Sequence, residues 1–488
     1  LTADERQGGL DDLLRQGVAV QIKLSLTEGV FIVGFALLLG ASNIIIGILT
    51  AIPALTQLIQ IPAVSITGSS KSRKRIAFVT QLSNRLAIMP MIFIPFIPDS
   101  TVGLGILIVS IFLQTIFVSF GAPSWNSWLR DLVSQKYLGR FFSKRLALSG
   151  IIAMFTIVLG GFLVELWNVP ILGGGRFGFS VIFLIALVAG LVSTYYTHKM
   201  PEPIIAKNSG SYSSLELLKI PFRNKNFNNL LKFSTIWIFS TSLVAPFFAI
   251  YILSKLGLDL IFAITFTAVT QLVSVLFFSF WGRFSDQLSS KSVLLVSVPI
   301  FLLGTFLWTF TNLVSQSVLL IVLLVLIHLL IGFAAAGVNL ASTTIGLKLA
   351  PNGESISYLA ASGTVNAIAG ACGPLVGGVL AEFFADKELY FSMTWLDHSG
   401  VIVLQTYHIA GLDFVILISV IVGVYALHRL ALVKEEGEVN QRVAIEAVLV
   451  EIRRNVKMLT TIDGFRETFQ LPLSILERSA RKRESSDN

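Results

Sequence analysis

Long apolar runs separated by short polar turns organise the whole chain. A helix needs about 20 mainly apolar residues to cross a hydrocarbon core of ~30 Å, and runs of that length recur twelve times. The first six lie near Val20 to Leu39, Asn43 to Val64, Ile76 to Ile97, Val102 to Gly121, Leu146 to Leu166 and Phe177 to Tyr196. The second six lie near Leu230 to Leu253, Leu260 to Phe280, Val293 to Phe310, Val318 to Gly337, Ile356 to Phe383 and Leu412 to Leu432. Beyond them the pattern changes. Ile445, Val448, Leu449, Ile452, Val456 and Leu459 share one helical face opposite Arg442, Glu446, Glu451, Arg453 and Lys457, which predicts an amphipathic helix against a leaflet or under the bundle.

The pattern also repeats. Leu146-Ala147-Leu148-Ser149-Gly150 returns 213 residues later as Leu359-Ala360-Ala361-Ser362-Gly363, and Asn126 as Asn339. Gly160 to Glu165 returns, four residues out of step, as Gly377 to Glu382. Six runs separate the copies, so both enter the membrane in the same direction. This predicts two parallel six-helix halves related by an axis along the membrane normal. The expected divisions are residues 1–18, 19–197 (first half), 198–228 (polar linker), 229–432 (second half) and 433–488 (amphipathic tail).

Composition leaves little room for another class. With 54% apolar and 13% charged residues, the chain lacks the material for a water-facing surface. The net charge of +8 is unevenly spread. Loops after even-numbered runs carry Lys71, Arg73, Lys74, Arg75, Arg130, Lys136, Arg140, Lys144, Arg145, Arg283, Lys291 and Lys348, whereas those after odd-numbered runs carry Arg176, Lys255 and Lys387. The positive-inside rule then puts both termini in the cytoplasm of a cell with a plasma or inner membrane, the first run serving as its own insertion signal. Dispersal over short loops argues against a nucleic-acid surface. The single cysteine, Cys372, excludes an intrachain disulfide.

The turn Gly282-Arg283-Phe284-Ser285-Asp286-Gln287-Leu288-Ser289-Ser290-Lys291, with twelve runs and a long central loop, resembles the signature of the major facilitator superfamily. The resemblance implies an all-α membrane fold and gate roles for Gly282 as a close-packing point and for Asp286 and Lys291. The related turn Thr67 to Arg75 keeps the basic end but has no Asp. Pro123 to Leu132, followed by Gly139-Arg140-Phe141-Phe142, is similar to a little-characterised prokaryotic branch and adds Asp131 and Arg140 to the gate candidates. The fourth run has no Arg and the fifth no Gly-Pro stretch, which lowers the odds of a proton/drug antiporter.

Within the membrane, ionisable residues are candidates by cost alone. Glu28 lies about 12 Å into the first run at 1.5 Å per residue, on a face with Gln21 and Ser25. It is either a proton, cation or substrate site or a structural ion pair. Arg85, beside Gln81 and Asn84, is either its partner in a proton-driven switch or a buried tie between helices. His328, on the face of Gly332, Asn339 and Thr343, can bind solute or exchange a proton, or simply pack. Trp237 and Tyr251 mix aromatic and hydroxyl groups in the seventh run, as a cavity wall or as packing. Glu165 and Glu382 fall near the far ends of the fifth and eleventh runs, as do His408 and Asp413 near the start of the last. Gly373, Pro374, Gly377 and Gly378 form a hinge or a packing stripe.

No phosphate loop, His-Glu-x-x-His or Cys/His cluster occurs, so neither ATP drive, enzyme chemistry nor any cofactor is expected. The reading is a monomeric secondary transporter, embedded in lipid, for a small amphiphilic or weakly polar solute, with proton coupling open. Alternatives are a non-transporting sensor or scaffold on the same fold, and a lipid flippase.

Overall fold

The computed structural model describes residues 3–68, 72–132, 138–167, 176–203, 220–287, 289–314, 317–350, 355–397 and 400–435. The tail helix expected over Val443 to Leu459 and most of the linker lie outside them. Twelve helices are long and apolar enough to cross a membrane. They are Glu5–Leu38, Asn43–Val64, Arg73–Phe96, Ser100–Leu129, Leu148–Leu166 and Arg176–Lys199, then Lys225–Lys255, Leu260–Ser285, Ser290–Leu313, Val318–Gly346, Tyr358–Phe383 and Leu412–Ala431, called spans 1 to 12 below.

Several helices outrun their apolar stretch. The first begins at Ala3, ahead of the expected boundary. The fourth continues to Leu132 and the tenth to Lys348, on the side that carries Arg73, Lys74 and Lys291 (the basic face). Prolines set the interruptions. Pro62 cannot donate to the carbonyl of Leu58, and span 2 slips there into i→i−3 bonds from Leu58 to Leu55 and Ile59 to Thr56. Span 3 stops at Leu86 and restarts at Met89 with Pro90 in its first turn, where a missing N–H costs nothing.

Packing repeats between the halves. Span 1 lies on spans 5 and 6, span 2 on 4, and span 3 on 4 and 6; the same pairs recur as 7 on 11 and 12, 8 on 10, and 9 on 10 and 12. Spans 2 with 11 and 5 with 8 join one half to the other. Large apolar side chains such as Phe155, Phe162, Val318 and Ile421 point outward, whereas Arg85, Lys23 and Asp413 are buried. That inversion suits a lipid solvent.

One element departs from the all-helical expectation. After span 11 the chain forms an antiparallel hairpin, β1 (Glu388–Asp397) and β2 (Gly400–Ala410), with a bulge at Phe391/Ser392. Its base is tied to the bundle by Tyr407 Oη donating to Thr309 Oγ1 at 2.6 Å, and by Lys255 Nζ donating to the Ala410 carbonyl at 3.0 Å.

Candidate functional site

Span 1 is two helices. α1 (Ala3–Thr27) ends two residues before Gly29, whose φ of 61° is open to glycine but costly for other residues, and α2 (Val30–Leu38) starts after it. The N–H groups of Val30, Phe31 and Ile32 find no acceptor among the described residues, and no side chain caps α2. The nine residues of α2 cover roughly 13.5 Å at 1.5 Å per residue, about half a hydrocarbon core, so the break sits near mid-depth. Glu28 and Gly29 are exposed there, and a methyl on Gly29 would meet open space. Unpaired backbone at that depth is tolerated only where it lines water or protein. Leu26 and Phe31 close one side against Gly160 of span 5, and Gly34 of α2 meets Leu260 of the other half. The break therefore lies where the first half meets the second.

Behind it the first half is cationic. Lys23 is 3% exposed, a residue that sequence reading passed over because it sits off the Gln21, Ser25 and Glu28 face. Its ammonium is within electrostatic reach of both Glu28 and Arg85. The expected Glu28–Arg85 pair does not form. Arg85 instead donates to Asn84 Oδ1, to the Gly190 carbonyl at 3.3 Å and to Ser193 Oγ at 3.0 Å, tying span 3 to span 6. Neutral oxygens are its only hydrogen-bond partners among the described residues.

The second-half candidates are mostly packed. His328 Nδ1 donates to the Leu324 carbonyl at 2.8 Å, and its ring stacks on Phe266 and meets the edge of Trp308. Trp237 is buried edge-to-face against Phe301. Tyr251 is fully buried and bonded at 2.8 Å to Thr311 and to Asp413. Asn339 is exposed. Asp413, expected near the outer surface, has no exposure and gathers Tyr251, Lys255 at 2.5 Å, Asn312 at 2.6 Å and the Ala410 N–H at 2.9 Å. Sequence position could not reveal this, because three of those partners come from the ends of other spans, Tyr251 and Lys255 from span 7 and Asn312 from span 9.

At the basic face the missing acid of the first turn is supplied from elsewhere. Glu202, just past span 6, accepts the N–H of Arg73 at 2.6 Å and of Lys74 at 3.1 Å. The Arg73 guanidinium pairs with Asp131 at 2.6 Å. In the second half Glu435, just past span 12, accepts the N–H groups of Ser290 and Lys291, and pairs with Lys348 at 3.1 Å. Gly282 does not provide the close approach expected of it, since an added methyl would meet Leu340 at 3.9 Å, ordinary contact. The side chains of Asp286 and Arg140 lie outside the described residues.

The seam between halves runs from the face opposite the basic one toward the middle. The Asn43 N–H donates to Glu382 Oε2 at 3.2 Å. A methyl on Gly47 would sit 2.5 Å from the Pro374 carbonyl oxygen, and one on Gly378 2.8 Å from that of Asn43. Gly373 and Gly377 do the same toward span 7, where a methyl on Gly377 would come within 2.1 Å of the Leu243 carbonyl. The span 11 stripe thus packs tightly on two sides.

Solved structures share this architecture. A point variant of the nucleoside transporter NupG aligns over 86% of this chain and 99% of its own with a TM-score of 0.65 at 14% identity. A bacterial homologue of the iron transporter ferroportin, in an inward-facing state, aligns over 87% and 98% with 0.64 at 13%. A bacterial homolog of the human lysosomal transporter Spinster, inward-facing, aligns over 89% and 98% with 0.60 at 15%. No curated protein sequence is significantly similar to the chain. The sequence profile of the Major Facilitator Superfamily matches residues 20–387, and the protein, a multi-pass membrane transporter, belongs to that superfamily.

Proposed function

We propose that this transporter is a secondary active carrier that moves a small amphiphilic or weakly polar solute by alternating access, with Glu28 as its proton-exchanging or solute-contacting group. The observation that carries the reading is the break in span 1, where the Glu28 carboxylate and Gly29 are exposed beside three N–H groups that no described residue accepts from. Discontinuous helices at mid-depth are where carriers of several folds bind solute and ions. The lysine and arginine distribution supports a cytoplasmic basic face in a plasma or inner membrane. With that orientation, the seam near Asn43, Gly47 and Glu382 closes the outer side, as in an inward-open state. Arg85 then serves as a rigid tie beside the site, and Lys23 sets its potential.

The test is flux in proteoliposomes under an imposed pH gradient, with a broad solute panel. Gradient-driven uptake or efflux that Glu28→Gln abolishes supports the reading. Flux unchanged by Glu28→Gln removes Glu28 from the mechanism, and no flux for any solute overturns the carrier itself.

A further inference from the structure

On the outer wall of the first half, away from the break, α1 and span 6 leave a groove of about 640 Å³. Eight of its ten lining residues are aliphatic, with Ile22 on α1 and Leu184, Val188 and Val192 on span 6 among them. Leu184, Val188 and Val192 stand four residues apart, so they form one face of span 6, and each is 43% to 53% exposed. The two polar lining residues, Arg15 and Tyr196, both lie at the basic end. From Leu184 to Tyr196 the groove follows span 6 for about 18 Å at 1.5 Å per residue, close to the ~15 Å depth of one leaflet.

The rim is built for an oxyanion. The Arg15 guanidinium lies over the Tyr196 ring, 5.9 Å from its centroid, and its side chain is 53% exposed. Its contact with Asp12, at 3.9 Å across one helical turn, leaves most of the five guanidinium donors unused. A phosphate takes two of those donors in parallel. Exposed aliphatics below and a half-exposed guanidinium, loosely held by Asp12, above match the two ends of a lipid, not those of a soluble solute.

We propose that this groove is a binding site for one anionic phospholipid, its phosphate on Arg15 and Tyr196 and one acyl chain against Ile22, Leu184, Val188 and Val192. The charge of the rim selects the anionic headgroup, and the groove orders the chain. The proposal does not depend on the solute reading, because it needs only the protein in a bilayer.

Native mass spectrometry of the purified full chain, delipidated and titrated with phosphatidylglycerol or phosphatidylcholine, tests it. The expected result is one saturable phosphatidylglycerol adduct retained at least fivefold better than phosphatidylcholine. Arg15→Gln removes that preference, Arg15→Lys keeps part of it, and Ala189→Trp, which fills the groove, loses the adduct. Arg15 is exposed, so its variants fold; melting curves of all three check this. Equal retention of the two lipids, or a phosphatidylglycerol adduct unchanged in Arg15→Gln or in Ala189→Trp, overturns the site. A dimer in solution that Ala189→Trp dissociates assigns the groove to a second copy of the chain and overturns it as well.

Discussion

Glu202 and Glu435 hold equivalent places in the two halves. Each lies just past the last span of its half and accepts two successive backbone N–H groups at the start of that half's third span, those of Arg73 and Lys74 for one and of Ser290 and Lys291 for the other. The serine in front of each helix repeats as well. Ser72 Oγ accepts from the Arg75 N–H at 3.1 Å, and Ser289 Oγ from the Ser292 N–H at 3.0 Å. A carboxylate there meets both orphan donors and the positive end of the helix dipole. The chain end of each half is thereby clipped under its own bundle.

Removing either charge should weaken that clip without unfolding the bundle. Glu202→Gln and Glu435→Gln are each expected to lower stability by about 1 kcal/mol, the usual worth of an N-terminal cap with its dipole term. The two sites lie in different halves and clip different helices, so the double variant should show close to the sum. Thermal melting in detergent reads this. A double variant no worse than either single one contradicts two independent clips.

Sequence pattern carried the fold because a bilayer demands only length and apolarity of each span, and both are local. It carried the pairing of halves because the repeat around Gly150 and Gly363 survived. The site was half legible. Glu28 stood out as a mid-depth carboxylate, but the helix break beside it depends on one glycine torsion, and Gly29 looks like any other membrane glycine. Arg85 was visible as a buried cation, yet its partners are a carbonyl and a hydroxyl of span 6, and any helix offers such groups. Glu202 goes unnoticed in the sequence, and Asp413 reads there as an outer-surface acid, for one reason: the partners of both lie on spans far away in the chain. The hairpin after span 11 does not stand out in the sequence, because the strand alternation of Leu389 to Trp395 is short and lies between two much longer apolar runs.

Gly47 should set how firmly the halves close. Its added methyl would meet backbone, the Pro374 carbonyl oxygen at 2.5 Å, so neither partner can yield as a side-chain tip would. Gly47→Ala is expected to cost about 1 to 3 kcal/mol at the seam and to shift the protein toward the state with that seam open. Gly105→Ala, which would meet nothing within 4 Å, is the control. In a Cys372→Ser background, a cysteine placed at Asn43 should label faster with Gly47→Ala and not with Gly105→Ala. Equal labelling in all three refutes tight closure at Gly47.

Asp413 is a harder test of the second half. Its carboxylate is fully buried and Lys255 is 21% exposed, so Asp413→Asn strands a cation whose partner has gone. Breaking one side of such a pair costs about 3 to 5 kcal/mol. Removing both charges costs less, so Asp413→Asn with Lys255→Met should melt above Asp413→Asn alone. The order single below double is the prediction, read by melting; the reverse order means that the ion pair is not what Asp413 contributes.

The hairpin should respond to pH through groups outside the membrane. The Tyr390 hydroxyl donates to Glu388, and His408 lies 3.5 Å away, which together hold the Glu388 carboxyl below the usual carboxylate range. A carboxyl depressed in the folded state contributes stability above its unfolded pKa, about 4.3 for glutamate, and loses it as pH falls through the lower folded value. On the alkaline side the sign reverses. Burial pushes the Tyr407 hydroxyl up, so its bond to Thr309 is retained below the ordinary tyrosine range near ~10 and weakens as pH rises past it. Amide exchange over residues 388–397 and 400–410, corrected for intrinsic rates, should therefore be slowest between these limits. Glu388→Gln should flatten the acid limb and, because the carboxylate also holds the Tyr390 hydroxyl up, soften the alkaline one, whereas Tyr407→Phe should change the alkaline limb alone. If both limbs survive either substitution, protonation elsewhere governs the hairpin.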